Sequence, residues 1–286
     1  DLLLLNVLGL ISQLEGDFDR AYLAYSRMDA LWVSSPEMIS ANANLYISFI
    51  TSFLNACLAK GRYNEFRNLL SNLKTVRFEQ ESSAFMLQEA LLYLEAVYCL
   101  NRAEYDKGIA LGPEIEQLMR KHRGRIDLSR IITFYFNLCS LHFMKGQYSK
   151  ANRWLTQLLQ LPSQDYRRNV VQAAPVFQLL LFIAMDDREL LASRMRARLR
   201  ARAGEPPSPL EAAIMAFATQ FLKGNESQIQ VAIAQFKQAL MELMEAAPGV
   251  VPCAGECFFW AEGRLNGKLP GDMFKEYAAA QTKNGQ

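Results

Sequence analysis

The stretch IITFYFNLCSLHFMKGQYSKANRWLTQLLQLP, residues 131–162, decides the fold. In its first half, Ile131, Phe134, Leu138 and Leu141 fall on one side of a helical wheel, and Tyr135, Cys139 and His142 fall on the adjacent side. An apolar arc that wide suits a helix packed against more than one neighbour. Gly146 then accepts the left-handed conformation that closes a helix end. From Tyr148 a second helix begins, with Ala151, Trp154, Leu155, Leu158 and Leu159 on one stripe, and Pro162 stops it. A turn this short forces the two helices to lie antiparallel.

The pattern recurs along the chain. Gly16-Asp17-Phe18, Gly61-Arg62-Tyr63, a degenerate Ala103-Glu104-Tyr105 and Gly146-Gln147-Tyr148 place an aromatic after each turn, at intervals of 45, 42 and 43 residues. The first hairpin carries Leu8, Gly9, Phe18, Ala21 and Tyr25. The second spans residues 36–60 and 63–74, with Pro36 at a helix start. The third spans 79–101 and 105–121, and Gly108, Gly112 and Pro113 are expected to weaken or kink its second helix. A fifth pair follows at 164–185 and 188–203, turning at Asp186-Asp187, and a sixth at 210–223 and 227–247. The clearest break is Gly204-Glu205-Pro206-Pro207-Ser208-Pro209, which divides hairpins at 1–203 from the last pair and cap at 204–286 within one array. Short helices near 254–265 and 270–280 are expected to cap it. No segment sustains an alternation of period two, so the chain reads as all-α.

The reference hairpin resembles a tetratricopeptide repeat (TPR). Leu138, Gly146, Tyr148, Ala151, Leu155 and Pro162 carry the likeness, whereas Cys139 stands where the family has Gly or Ala and His142 where it has Tyr. The intervals exceed the usual period of about 34 residues. The whole chain also resembles uncharacterised bacterial TPR-like proteins. The resemblance implies a right-handed α-α superhelix, a TPR-like solenoid of about six hairpins, in which each hairpin contacts mainly its neighbours. It further implies a concave groove lined by first helices. Carried over by hairpin, the groove residues are Ser48, Thr51 and Asn55, then Tyr93, Val97 and Asn101, then Thr133, Phe136 and Ser140.

Length and composition set the outer bounds. The 286 residues allow one or two domains, and 51% hydrophobic residues supply ample core and argue against disorder. The longest apolar run noted, residues 173–185, falls short of the ~20 residues a membrane span needs. Five cysteines without disulfide-module spacing read as reduced thiols in a cytoplasmic setting. The net charge of +2 conceals a block: residues 1–119 carry −6, residues 120–203 carry +11 and residues 204–286 carry −3.

Residue by residue, catalytic chemistry finds little footing. Cys253 and Cys257, with three residues between them, offer two thiols where a structural zinc site needs about four ligands. They read as buried thiols one turn apart. Cys57, Cys99 and Cys139 track the repeat and read as packing. His142 reads as a core residue, and His122 as a cation beside a helix C-terminus. No P-loop, nucleotide-binding glycine pattern or paired carboxylates are found, so neither enzymatic activity nor a cofactor or metal is expected. The basic block says more. Arg194, Arg198 and Arg202 form one helical stripe, Arg196 and Arg200 a second, and Arg120, Lys121, Arg123, Arg125 and Arg130 cluster two hairpins earlier. Such arginines either cover apolar surface with their stems or bind an acidic protein segment; a nucleic-acid-associated module using residues 120–202 is the alternative. The reading is a non-catalytic scaffold that holds a peptide or partner protein in the groove, helped by Arg123, Arg125, Arg194, Arg198 and Arg202.

Overall fold

In the computed structural model the turn glycines take the conformation that their spacing predicts. Gly16, Gly61 and Gly146 have φ of +77°, +66° and +70°. Around each, two hydrogen bonds close the preceding helix. At the last of them Gln147 N donates to His142 O at 2.9 Å and Gly146 N to Phe143 O at 2.9 Å. The same pair joins Arg62 to Cys57 and Gly61 to Leu58, and Asp17 to Ser12 and Gly16 to Gln13. This is the Schellman closure, which satisfies carbonyls that a helix end otherwise leaves open. A fourth copy forms without glycine: Asp187 N bonds Phe182 O, Asp186 N bonds Ile183 O, and Asp186 takes φ +55°. Aspartate is among the few side chains that visit this region.

The structure describes all residues except 1, 163–165, 202–203, 205, 247–250 and 285–286, and the side chains of 281–284 are also left undescribed. Among the described residues every regular element is a helix. The chain divides into two units, residues 1–101 and 102–286. The division falls at the turn assigned from sequence to the third hairpin, whereas the proline-rich break at 204–209 lies inside the second unit.

The first unit contains α1 (Leu2–Leu14), α2 (Phe18–Ser34), α3 (Glu37–Ala41), α4 (Ala43–Ala59), α5 (Tyr63–Leu73) and α6 (Glu81–Asn101). The long first helix expected at 36–60 is broken at Asn42 (φ −127°), which separates α3 from α4. The core is an aromatic lattice: Trp32 meets Tyr46 edge-on at 5.4 Å, and Phe49 stacks on Phe53 at 5.9 Å. Helix α1 approaches this lattice through Gly9, where a Cβ would stand 2.4 Å from the Tyr25 ring. Helix α6 is long and apolar enough, by length and composition, to cross a membrane, which the sequence reading did not single out. It carries Glu89 and Glu95 in its middle, pairs Glu95 with Lys74, and packs on α4.

The second unit contains α7 (Tyr105–Ala110), α8 (Gly112–Lys121), α9 (Leu128–Met144), α10 (Tyr148–Leu159), α11 (Arg168–Ala184), α12 (Arg188–Ala201), α13 (Pro209–Lys223), α14 (Glu226–Ala246), α15 (Ala254–Asn266) and α16 (Pro270–Asn284). The expected kink near Gly108, Gly112 and Pro113 is a full break between α7 and α8. Phe143 of α9 packs on Phe177 of α11 at 4.9 Å, and Phe217 of α13 stacks on Phe236 of α14 at 4.9 Å. One feature departs from contact between neighbours alone. Helices α15 and α16 follow the last hairpin and also lie against α9. The link between them fits by having no side chain at two points. A Cβ on Gly271 would stand 2.7 Å from Met144 O, and one on Gly263 would stand 2.5 Å from Lys268 O.

Gly146→Val is expected to destabilise the second unit by about 3 kcal/mol, because valine resists positive φ and its Cβ would also meet Leu269 at 2.7 Å. Asp186→Gly is expected to stabilise it by about 0.5 kcal/mol through relief of the same strain. Urea unfolding reads both, and equal midpoints for the three proteins would contradict the role given to the turn.

Candidate functional site

The residues expected to line a groove turn out to be bonded within each unit. In the first unit Tyr93 of α6 donates its hydroxyl to Asn55 Oδ1 of α4 at 3.1 Å. Asn101 Nδ2 bonds back to Val97 O at 2.9 Å. In the second unit Thr133, Phe136 and Ser140 share one face of α9, with Thr133 and Phe136 half-buried. Thr133 Oγ1 donates to Ser129 O at 2.8 Å. Ser140 is 1% exposed, and its hydroxyl donates to Glu256 Oε1 of α15 at 2.8 Å. It therefore faces a packed helix junction rather than open solvent.

That junction gathers chemistry-bearing side chains that the sequence scattered over 150 residues. Cys139, Cys253 and Cys257 are all buried. Burial pushes each thiol well above its ordinary range, and the Glu256 carboxylate adds to the shift. Tyr105 is raised by burial and then by Glu256 and Asp272. Cys257 lies in the first turn of α15, and Cys253 caps that helix with φ +68°. These thiols stay protonated at neutral pH, which removes the thiolate that nucleophilic attack requires. Among the described residues no group of three or more His, Cys, Asp or Glu is arranged to hold a metal ion. Cys57 is likewise pushed up to about 12, chiefly by burial. His142 is 6% exposed and bonded through Nδ1 to Gln147 Oε1 at 2.9 Å, and burial lowers its pKa.

The arginines fall into two classes. Arg198 Nε and Nη2 donate to Glu211 Oε1 and Oε2 at 2.9 and 3.1 Å. Glu211, at the start of α13, is 2% exposed. The sequence placed Arg198 on a free surface stripe; the structure corrects this, because the fork neutralises a carboxylate that the fold buries. Arg123 and Arg125 are exposed on the loop between α8 and α9, and Arg194 is exposed on α12. Arg202 lies outside the described residues. Arg153 pairs with Glu116 at 3.2 Å.

No protein-family model, curated protein or solved structure matches the chain. Roles therefore rest on geometry. Because hairpins alternate direction, the α8–α9, α10–α11 and α12–α13 connections of the second unit emerge at one end. Arg167 Nε reaches Ser129 Oγ at 3.2 Å and ties the second of these connections to the first. Between the start of α11, the end of α12 and the start of α13 opens a cavity of about 430 Å³, lined by Asn169, Gln172, Val176, Arg198 and Pro206–Leu210 residues among others. At the opposite end a cavity of about 450 Å³ is lined by Asp186, Arg188, Phe221, Glu226 and Arg264, with Arg188 lying 4.8 Å over the Phe221 ring. A separate apolar feature belongs to the first unit. Helix α1 buries Asn6, Gly9 and Ser12 and turns Leu3, Leu4, Val7, Leu10, Ile11 and Leu14 to solvent.

Arg198→Ala is expected to cost about 3 kcal/mol, since it removes a two-bond guanidinium fork from a carboxylate that the fold buries. Adding Glu211→Ala is expected to recover most of the loss. Equal stability of wild type and Arg198→Ala in urea would show that the fork carries no structural load. The lowered pKa of His142 sets a sign for acid sensitivity. The unfolded chain takes up the proton first, so stability falls as pH drops through the ordinary histidine range near 6.5 and the loss is complete below the lowered folded value. His142→Gln is expected to flatten this part of a melting-temperature profile between pH 7.5 and about 5. A profile that keeps the wild-type slope would contradict the assignment.

Proposed function

We propose that the chain is a non-catalytic interaction scaffold of TPR-like helical hairpins, and that a partner protein docks at the basic end of the second unit. The observation that carries this reading is the 430 Å³ cavity between α11, α12 and α13, walled on one side by the proline-rich α12–α13 connection at Pro206, Pro207 and Ser208. Its wall mixes apolar Val176, Leu210 and Leu243 with polar Asn169, Gln172 and Ser208, the mixture found where protein segments bind. The TPR-like reading is supported by the repeated Schellman turn, by the close approach of Gly9 to Tyr25 and by Ala151, which is fully buried in α10. The buried, protonated thiols at the α9–α15 junction favour a structural role for the residues that otherwise suggest chemistry.

The docking site moves from the expected groove to the hairpin ends because Ser140 is spent on Glu256 and Asn55 on Tyr93. A photo-crosslinking amino acid at Asn169, used in cells that make the protein, is expected to give a discrete heteromeric product. The product should disappear when Val176→Trp fills the cavity, and the same probe at Val231 of α14 should not give it. Failure to trap any product at Asn169, or an identical product with the cavity filled, would overturn the site.

A further inference from the structure

Resting on that docking site, we infer that the segment it receives is acidic and extended, and that it lies along the arginine-lined end of α9, α11 and α13. The charge is concentrated by topology. The described residues that meet at this end, within 120–130, 166–168, 196–201 and 206–211, hold ten Lys or Arg against two Asp or Glu. The turns at the opposite end, residues 145–150, 184–189 and 223–226, hold four of each. A block that is continuous in sequence is thus sorted onto one end of the hairpins. Arg120, Arg123, Arg168 and Arg200 are exposed there. Both acids at the basic end are already engaged. Asp127 Oδ1 accepts from Ser129 N at the cap of α9, and Glu211 holds Arg198.

The chemistry of the basic side chains narrows the ligand. Nine of the ten are arginine, whose planar fork matches a carboxylate with two parallel hydrogen bonds. The Arg198–Glu211 pair is an intramolecular instance of that contact at the same end. Size favours a protein segment over a nucleic acid. Packed helices lie 8–10 Å apart, so the ends of α9, α11 and α13 span roughly 20 Å. At about 3.3 Å per residue an extended chain crosses that distance in roughly six residues. A nucleic acid gains from many phosphate contacts on a broad positive face. This edge is short, the flanking regions of the chain are negative, and the whole chain carries only +2. Tyr166, 52% exposed beside Arg167, adds the aromatic contact common in protein interfaces.

The probe is a fluorescein-labelled octaglutamate, titrated with the full chain and followed by anisotropy, with octalysine and a twelve-residue oligothymidylate as comparators. Octaglutamate is expected to bind at low salt, to weaken at least tenfold when salt rises from about 50 to 300 mM, and to lose at least tenfold in Arg168→Glu/Arg200→Glu. Lys223→Glu at the opposite end is expected to leave binding unchanged, and circular dichroism confirms that both variants are folded. No binding of octaglutamate at low salt, equal binding by the double variant, or tighter binding of oligothymidylate each overturns the inference, the last in favour of nucleic acid. The crosslink at Asn169 separates the two levels. If it persists in Arg168→Glu/Arg200→Glu, docking stands and its acidic chemistry fails. If it is absent in wild type while octaglutamate binds, the basic end stands and the cavity does not receive a partner.

Discussion

The structure depends on how a helix ends. At Gly16, Gly61, Gly146 and Asp186 the chain closes a helix with one residue in the left-handed region and reverses within three residues. The closure uses carbonyls that otherwise need water, so it costs little exposure, and it points the next helix back along the last. Everything else follows from that reversal. Antiparallel neighbours must bury two faces of each first helix, which is why α9 and α11 carry apolar residues around most of their circumference and α10, with one buried stripe, does not. Reversal also puts alternate connections at opposite ends, and those ends are where charge and cavities are found.

Because the constraint is local, it was legible. Glycine with an aromatic two residues on marked the turns at Gly16, Gly61 and Gly146, and apolar periodicity marked the helices on either side. The short helices expected near 254–265 and 270–280 form as α15 and α16. The turn at Asp186 was also found, although no glycine announces it, because two aspartates interrupt an apolar run. The break between α7 and α8 was foreseen as a kink because Pro113 has no N–H to continue the helix. What the sequence could not show is the contact of α15 and α16 with α9. Nothing in the spacing of Ser140 and Glu256, 116 residues apart, says that they bond. Gly263 and Gly271 hint at it only in retrospect, as positions where a side chain would strike backbone.

The same distinction explains the site. Side chains on first helices were assigned to a groove by repeat register, yet register fixes only which face a residue occupies. Whether that face meets water depends on what returns to cover it, and for Ser140 a helix from the end of the chain does. Arg198 shows the converse case. Its helical stripe with Arg194 was correctly read, but Glu211 is thirteen residues away across a proline-rich connection, and only the fold makes it a partner. Helical periodicity therefore locates a stripe without telling which of its members is spent internally.

Charge adds one further step. Read along the chain, residues 120–203 form a single basic block, which suggests a broad positive surface. Folding divides it. Residues on connections between hairpins go to one end, residues at the tight turns go to the other, and those on second helices remain along the sides. The turns contain Asp186, Asp187 and Glu189, so three of the block's five acids lie opposite most of its arginines. The block's charge of +11 becomes directional along the hairpin axis. Directional fields orient an approaching chain before contact, and they do so through charges that the core does not need. That separation lets Arg198 hold the fold while Arg200, two residues along α12, and Arg168, on α11, stay exposed.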